Sequence, residues 1–153
     1  MKAIILAAGR GRRMGEYGEN LPKSLLPFAG STLLDLQMTA LRRGGVTGIT
    51  IVTGFKHELI APKGCTLYRN PEYATTNMVE SLMCARPELE GEVLLAYADI
   101  VYSVSLVEAM LASTADVAVA VDDAWRDYWK ARYGTTETDL ESLTVSPQGK
   151  ILE

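Results

Sequence analysis

Four cations, Arg10, Arg12, Arg13 and Lys23, share one glycine-rich stretch directly behind an apolar run, Lys2 to Ala7. Only Glu16 and Glu19 oppose them, so the stretch is net +2. The rest of the chain, with 11 basic and 17 acidic residues, is net -6. Such focusing suits a compact anion. Small residues at Ala7, Ala8, Gly9 and Gly11 let backbone approach a ligand closely, and successive backbone N–H groups in a turn can hold phosphate oxygens. Arginine adds fixed forks of donors. The pattern is not a Walker loop, because Lys-Ser/Thr does not follow the glycines at the required offset. Nor is it a dinucleotide fingerprint, because Met14 stands where a third glycine belongs. Pro22 biases the residue before it towards extended geometry and helps to hold its neighbour. Lys23 is then either a solvated lysine or one that reaches phosphate across the loop.

A second candidate is Asp99, which ends the run Leu94-Leu95-Ala96-Tyr97-Ala98. A carboxylate beside a buried strand must be paired, cap a helix or bind a metal, because burying it alone is costly. A helix starting near Ser103 offers the capping role. Mg2+, commonly held by one or two carboxylates together with substrate phosphates, offers the metal role.

These residues need elements to position them. Lys2 to Ala7, Ile49 to Thr53, Val93 to Ala98 and Val117 to Val121 read as buried strands, and Cys65 to Tyr68 as an edge strand. Leu25 to Phe28 is a further short strand. Leu33 to Arg43 repeats apolar residues at helical spacing, with Ser31 or Thr32 as cap and Gly44-Gly45 as stop. Glu58 to Ile60 suggests a short helical turn. Asn77 to Ala85 and Ser103 to Leu111 are further helices, and Thr144 to Leu152 a hairpin. Alternating strands and helices imply a three-layer α/β/α sandwich with a mostly parallel, Rossmann-like sheet. Sites in such folds lie at the carboxyl ends of the strands, where the basic loop and Asp99 both fall. One domain over 1–153 is expected. The chain stops at Glu153 in the outgoing arm of the hairpin, so a C-terminal part of that domain is expected to be absent.

Leu6-Ala7-Ala8-Gly9 through Arg13, followed by Leu21-Pro22-Lys23-Ser24-Leu25-Leu26-Pro27, resembles the signature of the nucleotidyltransferases also called NDP-sugar pyrophosphorylases. The resemblance implies that the loop from Arg10 to Arg13 wraps the phosphates of an NTP. It implies that Arg13 and Lys23 stabilise charge on the α-phosphate and on departing pyrophosphate, that backbone at Ala7, Ala8 and Gly9 meets base and ribose, and that Asp99 binds Mg2+. A second acidic metal ligand, which the family pattern requires, is not found before Glu153.

Asn70 to Leu82 resembles the phosphocholine cytidylyltransferase branch, which implies that Asn77 and Ser81 line the nucleotide or acceptor pocket. Helix capping by Thr76 or Asn77 explains the same polar cluster. Asp122 to Tyr133 holds both tryptophans, and aromatic faces beside carboxylates suit a quaternary ammonium; ordinary packing suits them equally. In the resembled branch Trp129 matches a choline-pocket residue.

The net charge of -4 argues against non-specific binding of nucleic acid or acidic lipid. Cys65 and Cys84 lack metal-ligand spacing, which leaves free thiols, and His57 has no partner histidine. No signal or spanning run stands at the N-terminus, so a cytoplasmic monomer or homodimer is expected. The expected activity is transfer of CMP from CTP to phosphocholine or a related amino-alcohol phosphate or phosphonate. A sugar-1-phosphate nucleotidyltransferase and a non-catalytic nucleotide-binding module are the rival readings.

Overall fold

Strand β1, Lys2–Ala7, is shielded at every side chain after Lys2, because strands flank it on both sides and helices cover both faces. The computed structural model describes residues 1–153 apart from Arg12, Arg13, Glu16, Lys63, Asp139, Glu141, Ser142 and Glu153. After β1 come α1 (Tyr17–Asn20), the short strands β2 (Pro27–Phe28) and β3 (Ser31–Thr32), and α2 (Leu33–Arg43). Then follow β4 (Gly48–Thr53), β5 (Thr66–Arg69), α3 (Met78–Cys84), β6 (Val93–Tyr97), α4 (Val104–Leu111) and α5 (Trp125–Tyr133). Contacts divide the chain into two compact units, Met1–Ala118 and Val119–Glu153.

In the first unit the sheet runs β5-β4-β1-β6, and every pairing is parallel. Side chains alternate between faces along a strand. Ala3, Ile5 and Ala7 therefore enter one core with Leu34, Met38 and Leu41 of α2 and Val107 of α4. Ile4 and Leu6 enter another with Val52, Leu82 of α3 and Ala85. Helices thus cover both faces, and the three-layer arrangement follows. All four strands point the same way, so their carboxyl ends and the loops after Ala7, Thr53, Arg69 and Tyr97 lie along one edge of the sheet.

Helix α2 begins where Thr32 accepts a hydrogen bond from the Asp35 backbone N–H at 3.1 Å. Asp35 in its first turn and Arg42 and Arg43 in its last complement the helix dipole. Gly44 closes it with an ordinary φ of -77°. A methyl group at Gly44 would stand 2.5 Å from Cγ1 of Val107, so the missing side chain is what lets α4 approach.

The structure corrects four expectations. Leu25 to Phe28 is not one strand: Lys23–Leu25 forms a 3-10 turn, and only Pro27–Phe28 is extended, paired with Ser31–Thr32. Strand β6 is not buried throughout, because it lies at the sheet edge; Leu95 and Tyr97 are 47% and 44% exposed. Val117 to Val121 forms no strand, because no described residue offers it a ladder partner, and its valines are exposed. The C-terminal hairpin is reduced to one bridge between Val145 and Ile151.

Gly44→Ala should destabilise the fold by about 1–3 kcal/mol through the clash with Val107. Urea unfolding would measure this, and part of the loss should return in a Val107→Ala background.

Candidate functional site

Two residues 76 positions apart meet at the carboxyl edge of the sheet: Lys23 Nζ lies 2.7 Å from Asp99 Oδ2. Lys23 opens the 3-10 turn behind Pro22, whose carbonyl accepts from Leu25 N–H at 2.9 Å. Gly11 has φ +66°, and a Cβ there would lie 3.3 Å from the Lys23 Cβ, so the glycine both permits the loop's course and leaves room for the lysine stem. Asp99 follows β6, whose exit is tied to β1 by the Ala98 N–H to Leu6 carbonyl bond of 3.2 Å. The capping alternative for Asp99 falls away, because Ser103 caps α4 by accepting from Leu106 N–H at 3.2 Å.

The turn carrying Asp99 is held from below. Gln37 of α2, 1% exposed, donates from Nε2 to the carbonyls of Tyr97, at 2.9 Å, and of Ile100. Sequence reading passed over Gln37. The signal was present, since a polar residue interrupts the stripe Leu34, Met38, Leu41.

Ala7 and Ala8 are buried, and the Ala8 carbonyl accepts from Phe55 N–H at 3.0 Å. Gly9 is exposed, and a Cβ there would meet nothing within 4 Å, so open space stands over this part of the loop. Arg10 places its guanidinium 5.5 Å from the Phe55 ring centroid. On the same ring Lys56 Nζ lies at 5.6 Å, while donating to the Asn20 carbonyl at 3.0 Å. Arg12 and Arg13, which were expected to grip phosphate, lie outside the described residues.

Asn77 is the cap of α3: its side-chain oxygen accepts from Val79 and Glu80 N–H at 2.9 and 3.0 Å. Ser81 departs from expectation. It is buried, accepts from Asn70 Nδ2 at 2.9 Å and donates to the Asn77 carbonyl at 3.2 Å, so its hydroxyl faces the interior and not a ligand. Asn70, also missed, is the buried hub of this corner. Its amide donates to Thr76 and Ser81 and accepts from Glu72 N–H, each at 2.9 Å.

In the second unit Trp129 sits among Trp125, Tyr128 and Tyr133, at ring-centroid distances of 6.2, 5.6 and 5.4 Å. Its Nε1 donates to the Thr138 carbonyl at 2.7 Å, and Arg132 lies 5.8 Å from its ring. An aromatic cluster that already draws a cation has formed within this unit.

A phosphate-sized anion could be met by the Lys23 ammonium and the open backbone at Gly9. Residues 3–143 match the model of the MobA-like NTP transferase domain. The chain belongs to that family. The CTP:phosphoglutamine cytidylyltransferase of Campylobacter jejuni is 29% identical, aligned over 100% of this chain and 64% of its own length. A choline-phosphate cytidylyltransferase of Haemophilus influenzae is 39% identical over 56% of this chain and 39% of its own. The solved structure of the CTP:phosphocholine cytidylyltransferase of Streptococcus pneumoniae has a TM-score of 0.57 and 34% identity, covering 64% of this chain and 44% of that one. The chain therefore spans between 39% and 64% of the length of these relatives. Its fold is that of the nucleotide-diphospho-sugar transferases.

This transferase domain offers no preformed metal cage: among the described residues no group of three or more His, Cys, Asp or Glu could hold an ion. Asp99 alone is a weak donor set for Mg2+, but it fits an ion whose remaining ligands are phosphate oxygens and water. An apolar hollow of about 550 Å3, lined by Met14, Tyr17, Asn20, Leu21, Leu26 and Pro27, includes neither Lys23 nor Asp99. The ion pair marks the chemistry better, because this hollow's lining carries no charge. No described helix is long and apolar enough to cross a membrane. Cys65 and Cys84 form no disulfide among the described residues, and Arg42 donates to the Cys65 Sγ at 3.8 Å.

Tyr102, which ends the loop bearing Asp99, has its pKa pushed up to about 12 by burial. Its hydroxyl finds no partner among the described residues. The neutral phenol is favoured in the folded state, so stability present below about pH 10 should be lost as pH rises towards 12. In thermal melts Tyr102→Phe should be neutral or stabilising at pH 7, and should lack that alkaline loss.

Proposed function

We propose that the protein is a cytidylyltransferase: it transfers CMP from CTP to phosphocholine or a related amino-alcohol phosphate or phosphonate and releases pyrophosphate. The observation that carries this reading is the Lys23–Asp99 pair, a cation and a carboxylate joined at 2.7 Å beside the glycine-rich loop of a nucleotidyltransferase. The choice of cytosine and of a small zwitterionic acceptor is supported by the cytidylyltransferases among the relatives.

An acceptor oxygen attacks the α-phosphorus in line, a new P–O bond forms, and the bond to the β-phosphate breaks. No covalent enzyme intermediate is required. The protein supplies position and charge. Arg10, Arg12, Arg13 and Lys23 hold the triphosphate, with Arg13 and Lys23 nearest the reacting and departing groups. Backbone at Ala7, Ala8, Gly9 and Gly11 meets the nucleoside and phosphates. Side-chain exposures of 32% and 44% make the Lys23–Asp99 pair a screened one, worth at most about 1 kcal/mol. Lys23 can therefore leave Asp99 for a more highly charged triphosphate, which frees the carboxylate. Asp99 would then hold Mg2+, which when bound neutralises phosphate charge.

Asn77 contributes through its amide nitrogen, since its oxygen is committed to the α3 cap. Ser81 supports it from behind. Trp129 is assigned to the acceptor's ammonium group on its chemistry, an aromatic face in a cluster that already accepts a guanidinium.

Lys23→Ala in the intact protein should lower kcat/KM at least tenfold, equal to about 1.4 kcal/mol of transition-state stabilisation. An unchanged value removes the role given to Lys23. Pyrophosphate release from CTP should be seen with phosphocholine or 2-aminoethylphosphonate and not with glucose 1-phosphate. The reverse pattern would assign a sugar-1-phosphate transferase, and nucleotide binding without product would assign a non-catalytic module.

A further inference from the structure

Helix α2 buries Leu34, Gln37, Met38 and Leu41 at the helical spacing i, i+3, i+4, i+7. Three of them are apolar and do what such a stripe ordinarily does. The fourth is a primary amide, 1% exposed, and an amide so placed loses water and needs hydrogen bonds in exchange. Gln37 finds two, both through Nε2: the carbonyl of Tyr97 at 2.9 Å and the carbonyl of Ile100. Both partners are acceptors only, so the nitrogen and not the oxygen must face them. Its Oε1 has no partner among the described residues. The donor half of the amide is what the fold employs.

Those two carbonyls bracket Asp99. Tyr97 is the last residue of β6, two before the carboxylate, and Ile100 is the residue after it. The turn needs such a clip. Strand β6 is a sheet edge, Asp99, Ile100 and Val101 are exposed, and beyond Tyr97 the sheet holds, among the described residues, only Ala98 N–H.

We infer that Gln37 is a positioning residue for Asp99: by pinning the carbonyls on either side, it aims the carboxylate at Lys23 and at the place the metal-nucleotide would occupy. The inference rests on the reading of Asp99 proposed above. Gln37 reaches neither substrate nor metal in this role. It acts through the backbone of residues 97–100.

The test uses the intact protein titrated with Mn2+ at saturating CTP, with bound metal read by electron paramagnetic resonance and with kcat and KM for CTP measured in parallel. Gln37→Met keeps length and volume but donates nothing. It should weaken Mn2+ binding and lower kcat, each by about tenfold or more, while KM for CTP stays within about threefold. Gln37→Glu keeps the shape should the methionine variant fail to fold. Its carboxyl can donate one hydrogen bond when protonated and none when ionised, so its kcat relative to wild type should rise as pH falls from about 8 to about 6.

Mn2+ affinity and kcat within about twofold of wild type in whichever variant folds, with no pH trend in Gln37→Glu, overturn the inference. Asp99→Asn distinguishes the two levels. If it leaves Mn2+ binding intact, the metal reading of Asp99 fails and takes this inference with it. If it abolishes binding while the Gln37 variants do not, only the role of Gln37 fails.

Discussion

A lysine from the loop after the first strand and an aspartate from the end of the last sheet strand can share a proton-donating contact of 2.7 Å only if the sheet brings their backbones to one edge. The parallel pairing of β1 with β6, in the register Leu6 to Tyr97, does this. Gly11 lets the loop fold against the Lys23 stem, and the turn after Pro22 sets the direction of the side chain. The pair is weak in stability terms because water reaches both partners.

Two buried amides hold strand exits. Gln37 ties the exit of β6 to α2, and Asn70 ties the exit of β5 to the start of α3. Each is bonded to loop backbone or to a neighbouring side chain. A buried amide is costly unless bonded, so each fixes the local geometry more strictly than an apolar residue of equal size would. The loops of the carboxyl edge are thereby held by the core beneath them as well as by their own turns.

The aromatic cluster about Trp129 belongs to a different unit and has a different physical basis. Its rings meet edge to face, and Arg132 stacks over two of them. The ring quadrupoles attract this guanidinium as they attract cations in general.

Much of the fold was legible because its signals are local. The apolar run of β1, the cap at Thr32, the stop after Arg43 and the caps at Asn77 and Ser103 depend on neighbouring residues, and the structure holds them where the sequence puts them. The charge focus between Arg10 and Lys23 and the carboxylate after β6 were equally plain. What composition and spacing could not decide were matters of partnership. Val117 to Val121 has the alternation of a strand, yet a strand exists only where another edge supplies hydrogen bonds. Ser81 and Asn77 read alike as polar residues of one helix start, but packing turned Ser81 inward and left Asn77 at the surface. Gln37 looked like an incidental interruption until tertiary contacts set its amide beneath Asp99. Periodicity and capping act over a few residues and survive in a single sequence, whereas the partner of a buried polar group is chosen only when distant segments meet.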